Sequence, residues 1–150
     1  MIHWKSLQER DTRPFAQIIR YGIVGLSATL LHVSIFSIFS LWINPAIDPE
    51  LGNEVRAHRS TINTTIAFLI SNVYTYLINS RYVFVPGRHS RMVEFGLFLA
   101  VSALSFGLGV WINRFLIATH GVPTFPAQGA FIVTSALINY VCRRFIVFKT

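Results

Sequence analysis

A row of amide and hydroxyl side chains in the middle of the chain has the spacing of a single helical face. Four such residues recur every three or four positions, and an arginine follows two positions after the last. They are Asn72, Thr75, Tyr76, Asn79 and Arg81. Such a face can donate hydrogen bonds to a phosphate and its attached hydroxyls, and the planar fork of arginine suits phosphate oxygens. The pattern predicts a binding site for a phosphorylated ligand.

A related pattern occurs near the C-terminus. It consists of Asn139, Tyr140, Arg143 and Arg144. The duplication favours a binding role over the alternative, in which amides and tyrosines hold helices together and arginines extend to the lipid headgroups. For any single residue both interpretations stay open.

Three further polar residues belong to the predicted substrate-binding set. Arg20 and Glu94 lie at the starts of two apolar stretches, and His32 lies well inside the first stretch. A histidine in a membrane can bind a substrate or a proton, although a packing role with its hydrogen bonds satisfied explains it as well.

Side chains with catalytic or metal-binding spacing are not evident in the sequence. The five histidines fall in five different segments without i, i+4 spacing, and Cys142 is the single cysteine. No P-loop pattern occurs. The sequence predicts a protein that is not an enzyme and that holds no cofactor or metal.

The composition is that of a membrane protein. Hydrophobic residues make up 53% of the 150 positions and charged residues 13%, and the mean hydropathy is +0.52. Four stretches are long enough to cross about 30 Å of hydrocarbon as helices. The predicted spans are Arg20–Ile43, Thr61–Ile78, Val93–Ile117 and Phe125–Cys142. The second span is the most polar, which suits a helix that faces protein or a water-lined cavity.

Basic residues predict the orientation. Four lie in the N-terminal segment, three in the loop between spans two and three, and three in the tail, which is ten of thirteen. The positive-inside rule then places both termini in the cytoplasm. We expect the membrane to be the cytoplasmic (inner) membrane. The predicted outer loops are Asn44–Ser60 and Ala118–Thr124. Anionic headgroups, rather than nucleic acid, account for the basic pI near 10.3.

The two halves of the chain resemble each other. At an offset of 64 residues Ser71 matches Ser135, and at an offset of 74 Gly22 matches Gly96. We predict an all-α integral membrane protein with four transmembrane helices, arranged as two parallel two-helix repeats in a single domain. The repeats cover about 18–84 and 93–148 of residues 1–150. Small-residue faces at Gly22, Gly25 and Gly107 predict a homo-oligomer.

Three runs carry a resemblance to a known family. They are RYGIVG at 20–25, NSRYVF at 79–84 and NYVCRRFIVF at 139–148. In order, spacing and duplication they resemble the GtrA family of small four-helix membrane proteins, over roughly residues 15–149. Arg143 stands where the first repeat has Asn79, so the two half-sites are not expected to be equivalent.

The resemblance implies a flippase. Such a protein would carry an undecaprenyl-phosphate-linked sugar, made by a partner glycosyltransferase, to the outer leaflet for glycosylation of cell-surface polysaccharide. Two alternatives remain open: a non-transporting subunit that anchors or stabilises a glycosyltransferase, and a small multidrug-type exporter. Polarity within the first two spans favours transport, and the absence of a mid-membrane carboxylate disfavours the exporter.

Overall fold

The computed structural model describes residues 14–79, 81 and 91–142, and within these ranges it contains four helices. Side chains at 14–18, 21, 91–92, 94–95 and 140–142 lie outside that description. The helices are α1 (Pro14–Ile38), which continues as a π-helical turn (Phe39–Ile43), α2 (Asn53–Ile78), α3 (Arg91–His120) and α4 (Thr124–Cys142). The prediction of an all-α protein with four helices is confirmed.

The predicted first loop was wrong at its C-terminal end, because α2 begins at Asn53 rather than near Thr61. The backbone amide of Arg56 donates to the carbonyl of Gly52 at 3.0 Å. Glu54 lies in the first turn, where a carboxylate interacts favourably with the positive end of the helix dipole. The helix therefore extends beyond its apolar part, and the connection is shorter than the sequence suggested.

Consecutive helices are antiparallel, as shown by two side-chain contacts for each pair. The contacts are Ser27 with Tyr74 and Asn44 with Asn63 for α1 and α2, Tyr76 with Phe98 and Glu54 with Arg114 for α2 and α3, and Ser105 with Ser135 and Asn113 with Gln128 for α3 and α4. Helices α1 and α3 thus run in the same direction, and the two hairpins are parallel. We call the end where α1 and α3 begin the Arg81 end, and the opposite end the Arg56 end.

The bundle is polar inside and apolar outside. Among the described residues, thirteen buried side chains are polar or charged and eight are hydrophobic, whereas large residues such as Ile23, Leu26 and Leu30 are exposed. By length and composition, Gly22–Ile43 and Gly96–His120 qualify as membrane spans. This inverted distribution suits a bundle whose surroundings are lipid rather than water.

Helix α2 supplies much of the polar interior. Its buried polar residues form what we call the α2 polar row, which consists of Arg56, Ser60, Asn63, Thr64, Ser71 and Asn79. The spacing keeps these residues on one side of the helix. At 1.5 Å per residue the row extends about 35 Å, which matches the roughly 30 Å thickness of the hydrocarbon core.

At the Arg56 end, α2 is hydrogen-bonded to the connection between α3 and α4. Arg56 Nη2 donates to Asn53 Oδ1 and to the carbonyl of Gly121, each at 3.1 Å. Gly121 has φ of +64°, a conformation that glycine adopts readily. Beside these bonds lies an apolar cluster of Ala57, Ile117 and Ala127. Arg56 is therefore a buried residue of α2, and its predicted place in an outer loop was wrong.

Helix α3 packs closely against α4 at Gly109. A methyl group at this position would lie 2.7 Å from Phe131 Cδ2 and 2.8 Å from Ser135 Oγ, whereas one at Gly107 would meet nothing within 4 Å. Only a glycine at position 109 lets the two helices approach this closely.

We expect Gly109→Ala to destabilise the protein by about 1–3 kcal/mol, because the added methyl overpacks the α3–α4 contact. The matched control, Gly107→Ala, should leave the free energy of unfolding of the monomer nearly unchanged. Both values can be measured by SDS titration in mixed micelles. Equal stability of the two variants would contradict the described packing.

Candidate functional site

A buried hydrogen-bonded network at the centre of the bundle has Gln128 as its hub. Gln128 Oε1 accepts from Thr64 Oγ1 at 2.9 Å and from Asn113 Nδ2 at 3.4 Å. Its Nε2 lies 2.8 Å from His32 Nε2. Asn113 Oδ1 in turn accepts from Ser60 Oγ at 3.1 Å. The hub therefore joins all four helices through side chains that are shielded from lipid.

The network fixes the tautomer of His32. Because the oxygen of Gln128 accepts two hydrogen bonds, its amide nitrogen is the atom that faces the imidazole, and an amide nitrogen only donates. His32 Nε2 must then be the unprotonated acceptor, so the proton resides on Nδ1. That atom lies 3.5 Å from Ser71 Oγ, which itself donates to the carbonyl of Phe68 at 3.1 Å. The ring also stacks on Phe131, with centroids 5.3 Å apart.

The hub also lies at the internal symmetry axis. Thr64 and Gln128 are separated by 64 positions, the same offset that relates the second halves of the two repeats. Two equivalent positions contact each other only near the axis that relates them. This hydrogen bond therefore joins equivalent positions of the two hairpins.

A second polar cluster lies between the hub and the Arg56 end. Asn63 Nδ2 donates to Ser40 Oγ and to the carbonyl of Asn44, both at 2.9 Å, and Asn63 Oδ1 accepts from Asn44 Nδ2 at 2.9 Å. Thr124 Oγ1 donates to the carbonyl of Ala46. These bonds hold the π-helical turn and the first connection against α2 and α4.

At the Arg81 end the predicted stripe occupies the last turns of α2. Thr75 Oγ1 donates to the carbonyl of Ser71 at 2.7 Å, and the ring of Tyr76 packs on Phe98 with centroids 5.8 Å apart. Asn72 is half-buried and Arg81 is exposed. Asn79 is only 2% exposed.

Asn79 differs from the other buried amides in the described part of the chain. Neither its Oδ1 nor its Nδ2 has a hydrogen-bond partner, although both atoms are inaccessible to solvent. Its backbone amide is satisfied by the carbonyls of Thr75 and Tyr76. The backbone of Asn79 is thus satisfied within its helix, whereas the side chain has its full hydrogen-bonding capacity unused.

The antiparallel register brings other predicted residues to the same end. Ser27 contacts Tyr74 at 3.1 Å, so Arg20, seven residues earlier on α1, lies near the level of Arg81. Because Tyr76 contacts Phe98, the backbone of Glu94 lies at this level as well. Asn139 is half-buried on α4. The side chain of Glu94 and all of Arg143 and Arg144 lie outside the described residues.

His32 is the predicted residue that the structure places elsewhere. It belongs to the central network, where its partners are Gln128 and Ser71, rather than to the Arg81 end. Sequence reasoning missed Gln128, Asn113 and the buried state of Arg56. A glutamine and an asparagine within long apolar stretches were the available signal, since such residues are costly in lipid unless they have partners.

The fold and the polar interior define a helical membrane protein that crosses the bilayer several times. Residues 20–148 match the family model described as GtrA/DPMS, transmembrane domain, and the chain belongs to this family. It is therefore a membrane protein of processes related to polyprenyl-phosphate sugars. No significant match was found among curated proteins or among solved structures.

Two neighbouring threonines test the central network. Thr64→Val removes the stronger of the two hydrogen bonds to Gln128 Oε1 and should lower the free energy of unfolding by about 0.5–2 kcal/mol. Thr65→Val is the matched control, because the hydroxyl of Thr65 donates only to the carbonyl of Thr61 in its own helix, at 2.8 Å. SDS titration of both variants provides the measurement. A loss for Thr65→Val as large as that for Thr64→Val would contradict the network.

Proposed function

We propose that this protein binds a polyprenyl-phosphate-linked sugar at its Arg81 end and carries the sugar headgroup across the membrane. The Arg81 end faces the cytoplasm, in keeping with the distribution of basic residues, and the membrane is the inner membrane. The lipid is undecaprenyl phosphate, and the delivered sugar serves glycosylation of cell-surface polysaccharide. The role is transport and not catalysis.

The observation that carries this proposal is the α2 polar row. It extends along the whole of α2 inside the bundle, from Arg56 to Asn79. Buried polar residues are costly in a membrane and tend to mark the paths of polar substrates. A helix that only anchored a partner could have an apolar interior face instead. The row distributes hydrogen-bonding groups along the length of α2.

Capture of the substrate begins at the Arg81 end. Arg81 is exposed there, and Arg20 lies near the same level on α1. Guanidinium groups pair with phosphate oxygens, while the polyprenyl chain stays in the bilayer against exposed residues such as Ile19 and Leu77. Synthesis of the lipid-linked sugar by a membrane glycosyltransferase on this side, and its use on the other, would drive net movement.

Four helices leave little room to enclose an amphiphile, so the working unit is a homo-oligomer. Gly22, Gly25 and Gly107 have open space where a side chain would lie, and they remain available for close contact with a second copy.

The central network favours a second candidate function. Its hub is buried and hydrogen-bonded on all sides, which also suits a rigid subunit that anchors or stabilises a glycosyltransferase.

Leaflet transfer by the purified protein alone distinguishes the flippase from the anchoring subunit. Vesicles containing undecaprenyl-phosphate-glucose can be scored with a membrane-impermeant oxidant of the sugar diol. Transfer supports the flippase, and its absence at full incorporation of folded protein supports the anchor.

Arg81→Lys tests the capture step. Lysine keeps the charge but cannot form the bidentate hydrogen bonds that the planar guanidinium of arginine forms with a phosphate. Loss of one charge-assisted hydrogen bond, about 1.5–3 kcal/mol, should weaken binding of the lipid-linked sugar by about tenfold or more. Arg144→Lys should behave similarly. The control is Arg114→Lys at the opposite end, where Arg114 forms an exposed ion pair with Glu54 at 2.9 Å. Full binding and transfer by the Arg81→Lys and Arg144→Lys double variant would remove the arginines from the site.

A further inference from the structure

The side chain of Asn79 is the strongest indication of a ligand in the described residues. Buried polar atoms in proteins nearly always have hydrogen-bond partners, and each one without a partner costs about 1–3 kcal/mol. Asn79 leaves two such atoms unpaired at 2% exposure, while the buried amides of Asn63, Asn113 and Gln128 all have partners. The unmatched amide therefore points to a group that binds beside it.

The amide restricts the chemistry of that group. Asn79 Nδ2 needs an acceptor, and Asn79 Oδ1 needs a donor. An ionised phosphate diester carries oxygens without protons, so it would satisfy Nδ2 and leave Oδ1 unpaired. A sugar hydroxyl both donates and accepts, and neighbouring hydroxyls on a sugar ring satisfy both amide atoms together.

We infer that Asn79 binds hydroxyl groups of the sugar, whereas Arg81 binds the phosphate to which the sugar is attached. This inference rests on the proposed function. The two residues are separated by one position, and the amide is buried while the arginine is exposed at the end of the helix. The neutral, hydroxyl-bearing part of the headgroup thus enters the bundle first, at the Asn79 end of the α2 polar row, and the charged part stays at the interface. Asn79 is then the residue that distinguishes a sugar-loaded lipid from the bare lipid phosphate.

The first test uses the protein without ligand. Leucine has the same number and branching of side-chain heavy atoms as asparagine and carries no polar atoms, so Asn79→Leu removes two unpaired groups. We expect the variant to unfold at a higher temperature than the wild type in detergent without lipid. A lower melting temperature would show that the amide has a structural partner and would overturn the inference.

The second test compares two probes, undecaprenyl phosphate and undecaprenyl-phosphate-glucose, bound to the protein in nanodiscs. We expect the wild type to prefer the sugar-loaded lipid. Asn79→Leu should bind that lipid about tenfold more weakly, with binding of undecaprenyl phosphate unchanged within twofold. Arg81→Lys should weaken the binding of both lipids. Asn79→Gln keeps the amide and should retain part of the preference.

The outcomes separate this inference from the proposed function. Equal weakening of both probes by Asn79→Leu, or no weakening of either, would overturn the sugar contact while leaving the flippase intact. A change of oligomeric state without selective loss would assign the amide to a contact between two copies of the chain. If the wild type binds neither probe, the proposed function fails, and the inference fails with it.

Discussion

In the hydrocarbon of a bilayer no water is present to satisfy a polar group, so every polar group must find its partner within the protein. The four-helix bundle depends on this constraint. Gln128 meets it at the centre, where one amide binds Thr64, Asn113 and His32 and so connects the four helices. Because the outer faces of the helices are as apolar as the lipid, hydrophobic burial contributes little to holding the helices together. The polar contacts and the close helix approach at Gly109 contribute more to helix association.

The two ends of the bundle differ in how their buried polar groups are hydrogen-bonded. At the Arg56 end most buried polar groups bind each other or backbone carbonyls, as Asn63 and Thr124 do, although the buried Nε of Arg56 has no partner. At the Arg81 end the amide of Asn79 is buried and unpaired. A buried amide with both of its polar atoms unpaired suits a protein in which a polar headgroup enters at that end.

The number of helices and the parallel hairpins could be predicted, because they depend on the lengths of apolar stretches and on a 64-residue offset that is visible in the chain. The start of α2 could not be predicted. Residues 53–60 are as polar as a loop, and they are helical because Ala57 packs with Ile117 and Arg56 binds Gly121. Such contacts join residues about sixty positions apart and leave no local pattern.

The candidate site was predicted in part. Periodicity placed Asn79 on a face with Tyr76, but the absence of a partner for its amide depends on how the helices pack. Gln128 was not predicted, because a single polar residue among apolar ones has no periodicity. Its match with Thr64 at the repeat offset could have identified it, since both residues are polar at equivalent positions in the second helices of the two halves.

The protonation of His32 tests the central network most directly. Solid-state nitrogen NMR of histidine-labelled protein in bilayers reports which ring nitrogen carries the proton, and the spectrum of His32→Phe identifies the His32 signals. The network predicts a neutral ring at neutral pH with the proton on Nδ1 and an unprotonated Nε2 that accepts from Gln128. A proton on Nε2, with or without one on Nδ1, would contradict the arrangement on which this account depends.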